Sequence, residues 1–386
     1  MVARPPAAGR RQQSMPRPRR LPISGTLPTW RAIAKRAVDA LGVRPADLVQ
    51  IRDRSGRFEV LLEMALAVER AGATPLPELL PPSYLDRLLR EAPVDHLATW
   101  DRHRLAWMHQ IDRVLVLQPA ARAYDAEADA PPDTARVAWR QAVGRLVEAE
   151  ETRLLPYLLV AVPAGERSGA PGLSLKLLER HLLPALAAPV STLQGEVERV
   201  MGALRGGARI TLQTAAGAEW QASLAGRRWL ADDGRIDEQD RRANAHIGNL
   251  PAGAVYTTVV EESATGELWL PEAAGACDVR LTFENGRIVD VAAREGQEHV
   301  QLLLATHSGD PDRVSHVGIG LNPALRDFVG WTLVDEHVSG AVLVALGENR
   351  YLGGRNQSDL NIDFALPRAS LLVDDRLIVD RGRLVV

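Results

Sequence analysis

In 386 residues the chain has a single cysteine, Cys277. One thiol cannot close an internal disulfide, and such sparing use fits a reducing compartment, so a cytoplasmic protein is expected. No stretch approaches the ~18 uninterrupted apolar residues of a membrane span. The greasiest, LLPYLLVAVPA, is broken by Pro156 and Pro163. There is no G-x-G-x-x-G and no G-x-x-x-x-G-K-[ST], so nothing in the sequence points to a nucleotide. Excess charge of one sign is also missing. A formal net charge of -3 gives no case for nucleic acid or a membrane as partner.

What remains is an ordinary globular balance, 46% apolar and 25% charged, over a length that accommodates two or three domains. The start is different in kind. Six arginines and five prolines precede Thr26 without one acid, which reads as a disordered basic tail over residues 1–25. Met15 offers an alternative start.

From Trp30 to Leu41 the apolar residues recur at helical spacing, and Gly42 follows as a cap. Strand patterns at Asp47–Asp53, Ala73–Leu80, Arg113–Pro119 and LLPYLLVAVPA alternate with helical ones. The helices are expected at Arg57–Gly72, at Ser83–Ala92 with Ser83 as N-cap, after a polar link from Ala121 to Asp133, and around LKLLERHLLPAL and STLQGEVERVMGAL. Such alternation implies a parallel α/β sheet wrapped by helices. After Gly206-Gly207 short strands take over. RITLQTAAG, EWQASLAG and RRWLADDG read as a meander, and CDVRLTFENGRIVDVAA as a hairpin turning at Asn285-Gly286. A helix at QEHVQLLLATH and a hairpin turning at Asp374-Asp375 complete this half. The expected architecture is therefore an α/β domain over 26–205 and a β-rich α+β domain over 206–386.

The most informative stretch runs from Trp331 to Leu366. Ala341–Leu346, AVLVAL, is short, unbroken and β-branched, as in a strand buried on both faces. From Leu360 to Leu366 the pattern alternates, placing Asn361 and Asp363 on one face and Leu360, Ile362, Phe364 and Leu366 on the other. Two polar side chains spaced this way can converge on one ligand, which makes them the edge of a candidate site.

This stretch resembles the C-terminal signature of the thermophilic metallo-aminopeptidases related to aminopeptidase T, a leucyl aminopeptidase-related family. The frame is kept at Asp335, Glu336, Gly340, Ala345-Leu346-Gly347, Gly353-Gly354, Asn356, Ser358 and Asp363. NLPAGAVYTTVVEE (Asn249–Glu262) and VSHVGIGLNP (Val314–Pro323) are similar to two further family motifs. The resemblance implies an aminopeptidase T-like fold and a homodimer. It also implies six metal-binding positions, which here read Ala254, His316, Glu336, Leu343, Asn361 and Asp363. A methyl, an isobutyl and a neutral amide replace three ligands, so the metal site is degenerate. Two ions held ~3.5–4 Å apart need bridging carboxylates and full ligand sets. The related iron dioxygenases of dihydroxypyridines use a His pair and an Asp from this region, and Leu343 and Asn361 remove that set too.

Two functions follow from the resemblance. The first is a pseudoenzyme without cofactor: a peptide-binding protein that presents or protects a peptide, or a protein substrate, for a partner enzyme through His316, Glu336, Tyr351, Asn361 and Asp363. The second is a metallo-aminopeptidase with one zinc or other divalent ion at His316, Glu336 and Asp363. Bland readings stand beside these. His337 is expected on the surface, His246 in a local hydrogen bond, Tyr256 in the core, and Glu336 and Asp363 in structural pairs with a cation such as Arg355.

Overall fold

The structure is a computed structural model and describes residues 27–120, 133–164, 174–242 and 245–386. The basic tail and nearly all of the polar link from Ala121 to Asp133 lie outside these. The helix Trp30–Leu41 buries Ile33, Ala34, Ala37, Val38 and Leu41, accepts a hydrogen bond from Ala32 N at Thr29, and ends on Gly42 at φ +65°. The strands β1 (Leu48–Asp53), β2 (Thr74–Leu79), β3 (Arg113–Gln118) and β4 (Tyr157–Ala161) pair in parallel. Helices Phe58–Arg70, Asp133–Arg153 and Leu175–Leu186 lie between or after them. The helix Pro82–Glu91 begins before Ser83, with Pro81 at the cap position and no side-chain cap. Proline presets the φ of a first turn, so the hydroxyl expected there has nothing to do.

Beyond Leu204 the pairing becomes antiparallel. β5 (Arg209–Gln213) and β6 (Glu219–Ser223) form a hairpin, but β7 (Leu230–Asp232) leaves it. The expected meander fails because the outer edges of β5 and β6 are taken by strands from later in the chain. β8 (Ile247–Leu250) returns to the first sheet, giving the order β2-β1-β3-β4-β8. Then follow β9 (Ala254–Thr258), β10 (Thr265–Ala273), β11 (Ala276–Glu284), β12 (Arg287–Ala292), β13 (Val314–Gly320), β14 (Val342–Gly347), β15 (Asn361–Leu366), β16 (Ser370–Val373), β17 (Arg376–Asp380) and β18 (Arg383–Leu384). β11 and β12 turn at Asn285 (φ 49°) and Gly286 (φ 79°), and β16 and β17 turn at Asp374 and Asp375, both as expected.

The second sheet runs β12-β11-β10-β6-β5-β16-β17-β18 and the third β15-β14-β13-β9-β7. One core lies among the first sheet and the helices around it, and it takes in Trp331, Val334 and Val338 from late in the chain. Another joins the second sheet to the third, through Trp220, Leu281 and Phe283 against Val255, Val317, Ile319, Val342 and Val344. Residues alternate along a strand, so the neighbours of those valines point the other way. That opposite face of the third sheet is free to line a site. Among the described residues no helix is long and apolar enough to cross a membrane.

Candidate functional site

A cavity of about 890 Å³ is lined by that free face and by the carboxyl ends of β1 and β3. The register explains which side chains meet. On β13, His316 pairs with Thr258 and Gly318 with both Tyr256 and Leu343; on β14, Ala345 pairs with Asp363 and Gly347 with Asn361. Ala254, Tyr256, His316, Leu343, Asn361 and Asp363 thus share the cavity, as do Glu336 and Tyr351. The six positions that the resemblance gives as metal-binding all line this cavity. Asn361 Nδ2 donates to Tyr351 Oη over 3.1 Å.

Glu336 and His337 are set in place by a tight turn. The Asp335 carboxylate accepts from the backbone N–H groups of Val329, Gly330 and Trp331 at 2.7, 2.8 and 3.0 Å, which fixes the short helix Thr332–Asp335. Gly320 lets this turn approach β13. A Cβ there would stand 2.3 Å from Val338 O and 2.5 Å from Glu336 O.

His337 is not a surface residue; it is 1% exposed. Its Nε2 lies 3.2 Å from Asp232 Oδ2 and its Nδ1 3.1 Å from Leu333 O. Both partners are acceptors, so both ring nitrogens carry protons and the group is an imidazolium. Burial opposes that charge, but the Asp232 hydrogen bond and the Glu336 carboxylate outweigh it and raise the pKa. Asp232 also accepts from Asn249 N and Gly234 N, each at 3.3 Å. Neither Asp232 nor Asn249 was singled out from the sequence, although Asn249 opens a matched motif.

Glu336 has less support. Asn249 Nδ2 donates to it at 3.3 Å, and His337 Nδ1, already committed to Leu333 O, stands 3.6 Å away. Burial, aided by Asp363 and Asp232 against the opposing His337, pushes its pKa up to about 8. Arg355 pairs with Glu261 and Glu262 and with neither Glu336 nor Asp363, so it is not the cation that was expected beside them. The reason is topological: Arg355 sits in the loop before β15, and its backbone N–H also bonds Glu261.

His316 and Asp363 form the second histidine–carboxylate contact, with Nε2 3.4 Å from Oδ1. Ser315 Oγ donates to Glu348 O at 2.6 Å, so its 3.0 Å contact with His316 Nδ1 has the ring as donor. A neutral ring so oriented would turn a lone pair toward Oδ1, which is buried without a hydrogen-bond partner. The two groups therefore face each other across the cavity without a hydrogen bond between them. Burial lowers the His316 pKa and raises that of Asp363, each against the pull of the other.

These donors do not fit the family's two-ion centre. Ala254 and Leu343 present hydrocarbon to the cavity, the Asn361 amide is spent on Tyr351, and Glu336 is held by Asn249. Among the described residues no three His, Cys, Asp or Glu side chains are grouped to hold a metal ion. The face itself is intact, which gives a direct test. The variant carrying Ala254→Glu, Leu343→His and Asn361→His is expected to retain zinc after dialysis, where the parent chain retains substoichiometric metal. No gain in bound zinc would show that these positions do not converge as the register indicates.

Residues 176–386 match the family model described as NicX: 2,5-dihydroxypyridine 5,6-dioxygenase. No curated protein matches the chain. Among solved structures, wild-type AmpT from Thermus thermophilus superposes with a TM-score of 0.71 at 20% identity, covering 92% of this chain and 99% of that one. A 2,5-dihydroxypyridine dioxygenase from Pseudomonas putida KT2440 does so with a TM-score of 0.59 at 16% identity, covering 92% and 97%. At such identities the likeness establishes the fold, which is aminopeptidase T-like: a parallel α/β sheet followed by an antiparallel, β-rich region.

Proposed function

Because this chain belongs to the family described as NicX, 2,5-dihydroxypyridine 5,6-dioxygenase, yet carries a cavity whose donors do not suit a metal centre, we propose that it is a peptide-binding protein that captures a free amino terminus without hydrolysing it. The observation that carries this reading is the position of Glu336. Within the cavity, Asp232 is matched by the His337 imidazolium, and Asp363 has the His316 ring 3.4 Å away. Glu336 lacks a counter-charge of its own; its contacts are a neutral amide and an imidazole already committed elsewhere. A buried carboxylate in that position favours a ligand that brings a cation.

An α-ammonium suits the place in size and in hydrogen-bonding capacity, since charge-assisted bonds to a carboxylate are the strong ones. Asp363, whose side chain keeps a third of its surface exposed, lines the same cavity and reinforces the pull. Tyr256 and Tyr351 offer hydroxyls, and Asn249 and Asn361 their amide oxygens, for a peptide backbone beyond the amine.

Calorimetry with short alanine peptides, free and N-acetylated, tests this reading. The free forms are expected to bind about tenfold tighter or more, the range of one charged hydrogen bond. Near neutral pH binding should also release a proton from Glu336, so the measured enthalpy changes with the ionisation heat of the buffer. Asp363→Ala should weaken the free form more than the acetylated one. Equal affinity for both forms removes amine capture, and chelator-sensitive cleavage of an aminoacyl-nitroanilide removes the non-catalytic part.

A further inference from the structure

We infer that the opposite end of the same cavity is a carboxylate subsite built on Arg54, so that the ligand is a free short peptide held by both of its termini. This rests on the amine capture proposed above and extends it from one end of the ligand to the other.

The place is fixed by the first sheet. In the order β2-β1-β3-β4-β8 the chain runs outward in one direction from β1 to β2 and in the other from β3 onward. The crevice outside the carboxyl ends of β1 and β3 is therefore a topological switch point, where open parallel sheets leave room for a ligand. Arg54 stands directly after β1, with its backbone N–H bonded to Leu117 O of β3 at 3.1 Å. Its Nη1 donates to Gln118 Oε1 over 3.0 Å.

Three arginines line the cavity, and two are already neutralised. Arg52 pairs with Glu150 and hydrogen-bonds the Gln50 amide at 2.9 Å. Arg104 bonds Glu78 at 2.7 Å and lies 3.4 Å over the Trp100 ring. Arg54 differs. Its side-chain partner is a neutral amide, and no carboxylate of the described residues forms an ion pair with it. The adjacent Asp53 does not supply one, because its Oδ1 folds back onto Ser55 N, Ser55 Oγ and Gly56 N at 2.8, 2.7 and 3.1 Å.

A guanidinium keeps its charge at any working pH and offers a planar fork that suits a carboxylate. The neighbouring acids narrow the choice further. Glu78 and Glu150, which hold the other two arginines, line the same cavity and would repel a dianionic phosphate more than a carboxylate. One end of the cavity thus wants a cation and the other an anion, with hydrogen-bonding groups between. A zwitterion of matching length fits both; a protein's amino terminus fits only the first.

The test uses tri-, tetra- and pentaalanine, each free, N-acetylated, C-amidated or blocked at both ends, titrated into the full chain. The free peptide of one length should bind tightest, and C-amidation should weaken it about tenfold or more. Arg54→Gln should abolish that penalty while keeping the penalty for N-acetylation, and Arg54→Lys should restore part of it. Thermal unfolding of both variants checks that the fold is kept. Equal binding of amide and free acid by the parent chain overturns the inference, as does an amide penalty that survives in Arg54→Gln. A penalty for amidation without one for acetylation upholds the Arg54 subsite and removes amine capture instead. Absence of binding by every form removes both.

Discussion

Replacing His337 with leucine is expected to lower stability at pH 7 by about 3–5 kcal/mol, the range seen when one partner of a buried ion pair is removed. The side chain is inaccessible, and Asp232, at 6% exposure, would lose its charged donor and keep two backbone N–H groups. Equilibrium unfolding in denaturant measures the loss. Adding Asp232→Asn should return part of it, because the uncompensated charge disappears, and the two changes should be strongly non-additive. The pH dependence has a definite sign. The folded-state pKa of His337 lies above the ordinary histidine value of 6.5, so its contribution is complete below that value. It is lost as pH rises through the folded value, and the cost of His337→Leu should shrink in alkaline buffer. A cost under about 1 kcal/mol at pH 6 would mean that the pair is not buried as described.

The second large effect belongs to Glu336→Gln, and it runs in the stabilising direction. With its pKa pushed from 4.5 up to about 8, chiefly by burial, folded Glu336 holds a proton that the unfolded chain releases. Stability therefore falls as pH rises from about 4.5 and levels off above about 8. Glutamine keeps the acceptor that Asn249 uses and cannot ionise. At pH 4 the two proteins should melt together, whereas at pH 9 the glutamine variant should melt several degrees higher. A displacement of this size is worth a few kcal/mol in a well-buried group. The opposite outcome, a variant less stable at pH 9, would mean that Glu336 is ionised and paired in the folded protein. The same variant should bind free peptides no better than acetylated ones if Glu336 supplies the charge that receives the amine.

Much of this arrangement was readable in advance. The alternation from Leu360 to Leu366 places Asn361 and Asp363 on one face, and β15 presents both to the cavity. AVLVAL reads as a strand covered on both sides, and β14 is buried throughout. Turn chemistry was equally plain at Asn285-Gly286 and Asp374-Asp375, where two consecutive positive φ angles select those residue types. The third strand of the expected meander was not readable, because which sheet edge is free depends on β10 and β16, which come later in the chain and take the edges of β6 and β5.

The side-chain partners divide the same way. Local pattern alone decided that the strands exist and which face each residue takes, since these follow from period-two geometry and residue chemistry along a few neighbours. His337 looked like a surface residue because two acids precede it, and nothing nearby in the chain announces Asp232, which meets it from 105 positions away. Nothing in the chain around Arg54 announces a ligand; only the docking of β1 against β3, and the claims of Glu78 and Glu150 on the neighbouring arginines, leave it free for one. The sequence alone thus determined the scaffold. The tertiary structure decided which charges are matched and which are left for a ligand. Charge pairing acts through space, and burial sets its strength, so neither can be read from spacing along the chain.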